Sequence, residues 1–136
     1  LENVEFIDDE LYQDEIQNKE ITGKEILKNT FDVRPQWTET GGSMMVKKNA
    51  AYAKQALVNS NFLCEADPSH QTFMTSKGVP YMEGHHLIPC TAKNAKTFWK
   101  RVGKSIDCVE NIVCLCPTCH RKIHCTTLEK VEWILP

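Results

Sequence analysis

ENIVCLCPTCHRKIH, residues 110–124, decides the reading of this chain. Its first half, within VENIVCLC, is rich in β-branched residues and reads as a strand. Its second half opens on Pro117, a residue favoured in the first turn of a helix, so PTCHRKIH reads as a helix. The junction carries Cys116 and Cys119, a CxxC spacing that lets two thiolates share one tetrahedral zinc. His120 and His124 stand four apart on the predicted helix. They share a face and can bind one ion or straddle one group.

Upstream, VPYMEGHHLIP (79–89) reads as a strand running into a turn. It sets His85 beside His86, although adjacent side chains on a strand point to opposite faces. Glu83 shares the strand face of His85. It is either a hydrogen-bonding partner for a histidine or an exposed carboxylate. The five residues His85, His86, Asn111, His120 and His124 form a constellation that separate structural histidines explain poorly.

A closed zinc site needs two ligands beyond Cys116 and Cys119. Cys64 opens the unit before the HH strand, and His70 follows it at Cys64-x5-His70, with Cys108 and Cys114 as rivals for the fourth place. In the plainer alternative, Cys64 is a small buried hydrophobe and His70 a surface residue. Cys90, Cys114 and Cys125 read as packed or free thiols. Seven cysteines is an odd number. Four of them fall between 114 and 125 among histidines, which favours metal binding in a reducing, cytoplasmic compartment over a disulfide framework.

The 136 residues suit one domain or a domain with an appendage. Residues 1–40 hold eleven acidic and four basic side chains, a net of −7, and the remainder holds seven and twelve, a net of +5. A basic portion fits a polyanionic partner but is weak support alone. No apolar run approaches the roughly 18–20 residues of a membrane span, so no membrane partner is expected. The first ten residues have neither the basic nor the apolar part of a signal peptide and lack an initiator Met, which reads as a piece of something longer.

Residues 8–20 read as a helix with an Asp cap, and Thr22 with Glu25 as a capping box for a short second helix. Residues 32–42, punctuated by Pro35, Gly41 and Gly42, read as a linker or loop. Ser43 is expected to cap a longer helix over MMVKKNAAYAKQALVNS, with Met45, Ala53, Ala56 and Leu57 as its apolar stripe. KNAKTFWKRVG reads as a short helix or helical loop. TTLEKVEWIL reads as a terminal helix anchored by Trp133 and Ile134. There is no repeat and no low-complexity segment.

EGHHLIP followed by ENIVCLCPTCHRKIH resembles the HNH nucleases of the ββα-metal fold, over roughly residues 61–125. CEADPSHQTF adds a texture similar to the bacterial restriction and defence branch, methylated-DNA restriction proteins included. The resemblance implies an α+β fold: a ββα-metal core with a zinc knuckle in residues 61–136, closed by a C-terminal helix. Residues 1–60 precede it as an acidic, helical segment, readable as a linker from a targeting domain elsewhere. It implies that His85, His120 and His124 hold a catalytic divalent ion and that His86 is the general base. Asn111 would fix a loop and orient His86 by hydrogen bonding. Cys64, His70, Cys116 and Cys119 would hold the structural zinc.

Imidazole, with an ordinary pKa of about 6.5, suits the base. A divalent ion would act on the phosphate and the leaving oxygen. Mg²⁺ prefers oxygen ligands, whereas an all-histidine set favours Mn²⁺, Co²⁺, Ni²⁺ or Zn²⁺. Arg121, Lys122, Lys100, Arg101 and Lys104 are candidates for contacts to flanking phosphates, or ordinary solvated cations. The expected activity is hydrolysis of DNA, with RNA open as a substrate. The rival is a zinc-stabilised nucleic-acid-binding module without catalysis. No signal bears on oligomeric state.

Overall fold

The computed structural model describes residues 2–21, 27–40 and 43–125. In chain order the elements are α1 (Glu2–Asn18), β1 (Trp37–Thr40), β2 (Ser43–Val46), α2 (Ala50–Asn59), β3 (Glu83–His86), α3 (Ala92–Val102), β4 (Ile112–Leu115) and α4 (Pro117–Cys125). The mixture of helices with two small antiparallel sheets is α+β. No helix among the described residues is long and apolar enough to cross a membrane.

The second sheet carries the functional residues. β3 and β4 pair antiparallel with Glu83 opposite Leu115 and His86 opposite Ile112. Every residue of β4 is buried, which fits its β-branched run. Its inner face meets α1 and α2 in one core that joins Tyr12, Ile16, Ala53 and Leu57 to Cys64, Met82 and Ile112–Cys116. Packing is therefore continuous across residue 60. Gly84 makes the close approach feasible. A Cβ there would lie 3.1 Å from Ala53 Cβ, 3.3 Å from Ile112 Cγ2 and 3.4 Å from Ile16 Cδ1.

The outer edges of this sheet are satisfied by side chains and loops. Gln13 Nε2 donates to Gly84 O at 2.7 Å, and Gly84 N donates to Gln13 Oε1 at 3.0 Å. Gln17 Nε2 donates to Met82 O at 2.9 Å. On the far side, Glu65 N donates to Cys114 O at 2.8 Å. Buried backbone groups left without such partners would cost free energy.

The N-terminal part departs from the sequence expectations. The first helix begins at Glu2 and ends at Asn18, earlier at both ends than the predicted 8–20. Residues 37–40 and 43–46 pair as two antiparallel strands, Trp37↔Val46 to Thr40↔Ser43, in place of a loop and a helix start. Ser43 and Met45 thus belong to β2, and the cap of α2 is Asn49, whose side chain accepts from Ala51 N. The Gly41–Gly42 pair between two short runs is itself a two-residue hairpin signal. The Thr22–Glu25 capping box and the terminal helix with Trp133 and Ile134 lie outside the described residues.

α3 matches its predicted place. Thr91 caps it, and Gly103 ends it in the left-handed region at φ 73°. Asn61 and Phe62 also adopt positive φ, turning the chain after α2 toward buried Cys64. The second strand of the sequence reading is shorter than VENIVCLC, because Val109–Asn111 form a 3-10 turn before β4.

Candidate active site and zinc cluster

β3 alternates as a strand must, and this separates its two histidine rings. His85 turns toward α4, where its ring centroid lies 5.1 Å from that of His120 and 5.3 Å from that of His124. His86 turns the other way and stacks on Tyr12 of α1 at 5.8 Å. His85, His120 and His124 each offer a ring nitrogen within 4.8 Å of the others. His120 and His124 bring their Nε2 atoms to 3.0 Å, as the i, i+4 spacing on α4 demands.

Glu83 fixes the tautomer of His120 in this cluster. Its Oε1 lies 2.8 Å from His120 Nδ1, and its Oε2 accepts from Tyr81 Oη at 2.6 Å. With Nδ1–H donating to the carboxylate, His120 Nε2 keeps its lone pair for an ion. Carboxylate–histidine pairs at metal sites use this arrangement. Burial pushes the Glu83 carboxyl up, but the bonds from His120 and Tyr81 outweigh it and hold its pKa below the ordinary value. Burial, with repulsion from His120, His124 and His86, pushes the His85 pKa down to about 3. His85 is therefore a neutral imidazole with a lone pair to give.

His86 is only 7% exposed. Its Nε2 lies 2.9 Å from Asp107 Oδ1, and Asp107 Oδ2 accepts from Asn49 N at 2.7 Å. The expected partner, Asn111, is occupied elsewhere. Asn111 Oδ1 accepts from Ile88 N at 2.9 Å, and its Nδ2 donates to Ile88 O at 3.0 Å and Ile106 O at 2.8 Å. It fixes the loop after His86, while the orienting bond to His86 comes from Asp107. The sequence offers no periodic signal for Asp107, which sits in an irregular segment 21 residues from its partner.

Cys90 joins His86 and Asp107 in a third group of close donors. Burial and the Asp107 charge push the Cys90 thiol up to about 12, and both Asp107 oxygens already accept hydrogen bonds. A protonated thiol beside a satisfied His–carboxylate pair is the better description of this group than a metal centre.

Cys64, His70, Cys116 and Cys119 also gather within 4.8 Å. Neither rival for the fourth place, Cys108 or Cys114, joins them. His70 Nδ1 lies 3.2 Å from Cys119 Sγ and 3.7 Å from Cys116 Sγ. Asp67 Oδ2 stands 3.4 Å from His70 Nε2, with Ser69 bonded to the other Asp67 oxygen. The aspartate thus turns the Nδ1 lone pair inward. Burial raises the Cys64 pKa, but amides of Cys116, Asp67 and Ala66 outweigh it and bring it down to about 7. Burial and the neighbouring sulfurs push Cys119 up to about 12. A thiolate at Cys119 therefore needs a cation to accompany it. Three thiols and one imidazole suit tetrahedral zinc.

The expected phosphate-contact cations are all at the surface. Arg121 and Lys122 are exposed on α4 beside His120, and Lys100 and Arg101 are exposed in the last turn of α3. Lys104 is paired with Asp32.

Residues 64–124 match the model of the HNH endonuclease family. The type IV methyl-directed restriction enzyme EcoKMcrA of Escherichia coli strain K12 is 35% identical over 68 residues, which is 50% of this chain and 21% of that relative. The chain thus spans about a fifth of the length of the curated relative it matches.

Proposed function

We propose, on the premise that residues 64–124 are an HNH endonuclease domain, that this chain hydrolyses phosphodiester bonds of DNA in a restriction system. The observation that carries the reading is the convergence of His85, His120 and His124, with Glu83 setting the tautomer of His120. These three imidazoles would hold a divalent ion, which when bound supplies Lewis acidity at the scissile phosphate and leaving oxygen. The all-nitrogen donor set fits Mn²⁺, Co²⁺, Ni²⁺ or Zn²⁺ better than Mg²⁺.

His86 is the proposed general base. With Nε2–H donating to Asp107, its Nδ1 is the basic atom, and the carboxylate stabilises the imidazolium formed when that atom takes a proton from water. Asn111 holds the loop at Ile88 that follows the base. Cys64, His70, Cys116 and Cys119 would take structural zinc and lock the start of α4, which presents His120 and His124. Arg121, Lys122, Lys100 and Arg101 would meet flanking phosphates. Site choice, methylated DNA included, would come from a targeting domain elsewhere in the longer protein.

The test is cleavage of supercoiled plasmid by wild type and His86→Ala, with each divalent ion in turn and zinc assayed in both proteins. Ion-dependent cutting by wild type, lost in a folded, zinc-replete His86→Ala, is expected. The burial of His86 against Tyr12 favours a second reading of that one residue, as a core histidine. In that case His86→Ala still cuts and only its stability falls. DNA binding by a folded wild type that never cuts would instead favour the non-catalytic module.

A further inference from the structure

A cavity of about 360 Å³ opens on the His86 side of β3, between α1, β2 and the start of α2. Four cations line it, Lys19, Arg34, Lys47 and Lys48, against two carboxylates, Glu15 and Asp107. Asp107 is already engaged by His86 and by the amide of Asn49. The excess of cations runs against the local composition, since residues 1–40 have a net charge of −7. Of the four basic residues in that stretch, two face this one cavity.

Two of the four cations are held in place by aromatic rings. Arg34 lies 5.9 Å from the centroid of Trp99, and Lys48 Nζ lies 4.8 Å from that of Tyr12. Such contacts restrain long side chains that would otherwise lose freedom on binding. Asp107, which lines the cavity, also holds His86 at 2.9 Å, so the cavity and the proposed base share one carboxylate.

We propose that this cavity seats backbone phosphates of the DNA next to the cut, which makes residues 1–60 part of the substrate surface. The inference rests on the nuclease reading above. Clustered cations acting on a polyanion release counterions, and this supplies both the affinity and its salt dependence.

The experiment measures binding of a labelled DNA duplex across a salt series, without added divalent ion, for wild type and Lys19→Ala/Arg34→Ala/Lys47→Ala. Lys48 is kept because it rests on Tyr12, the ring that stacks on the proposed base His86. Each lost phosphate contact is expected to flatten the log–log salt slope by about 0.9, so the triple variant should be shallower by about 2.7. Zinc content should not change. If the triple variant loses zinc, Lys19→Gln and Lys47→Gln, both at exposed positions, carry the test singly at about 0.9 each. Equal slopes, with a wild type that still cuts plasmid, overturn the inference and leave the nuclease reading standing. A wild type that neither binds nor cuts the duplex overturns both. Inorganic phosphate at matched ionic strength is the second arm. Protection by phosphate with an unchanged DNA slope would make this a small-anion site and overturn the assignment to DNA.

Discussion

Gly84→Ala is a one-carbon change with opposed terms. The new methyl would stand 3.1 Å from Ala53 Cβ and 3.3 Å from Ile112 Cγ2, inside the roughly 3.5–4.0 Å at which carbon pairs attract. The first of these is an atom fixed to the backbone of α2, so the helix itself must shift. Overpacking of this kind costs about 1–3 kcal/mol. Replacing a strand glycine by alanine returns about 0.5–1 kcal/mol of backbone entropy. Overpacking exceeds the returned entropy over nearly all of its range, and the net expectation is about 0–2.5 kcal/mol of destabilisation, centred on about 1 kcal/mol. Relief should come from Ala53→Gly, although that change alone costs about 1 kcal/mol in a helix. The assay is urea unfolding of wild type, both single variants and the double variant. The double variant should be more stable than the sum of the singles predicts. Strict additivity, or a Gly84→Ala variant as stable as wild type, would refute the argument that Gly84 is set by the approach of α2.

Cys116→Ser should lose bound zinc and unfold the core around Cys64 and Cys114; a stable, zinc-free fold by metal analysis and near-UV spectroscopy would sink the knuckle. Glu83→Gln should weaken divalent-ion binding at the histidine cluster by about 10–100-fold in calorimetric titration, because His120 loses its charged partner, and unchanged affinity would dismiss that role. His85 has a lower pKa folded than unfolded, so the unfolded chain binds the extra proton between about pH 6.5 and about 3. Stability without added ion should therefore fall as pH drops through that window, by up to about 1.4 kcal/mol per unit from this group. The comparison is urea midpoints of wild type and His85→Gln; identical pH profiles would remove His85 as the source.

Local pattern made the centre of this molecule legible. The strand of β-branched residues, Pro117 at a helix start and the four-residue spacing of His120 and His124 are short-range facts, and β4 and α4 follow them. Cys64 and His70 were reachable through ligand chemistry, although 46 residues separate His70 from Cys116. The pairing of β1 with β2 is obscured because Met, Ala and Lys around it favour helix, and a Gly pair suits a linker as well as a tight turn. The direction of His86 and its bond to Asp107 depend on packing between segments far apart in sequence. No periodicity encodes that, and the expectation that Asn111 would orient His86 went to the wrong residue for this reason.

The two glutamines of α1 have a consequence for the chain cut back to its family-matched part. A two-stranded sheet with open amides is a template for strand addition by a second molecule. Gln13 occupies that position as a stand-in strand, giving Gly84 both an acceptor and a donor, and Gln17 gives Met82 O a donor. Residues 64–124 alone would bare these groups together with the apolar face that Tyr12 and Ile16 cover. Self-association of that fragment is the expected result, so α1 serves as a guard against aggregation as well as a wall of the core.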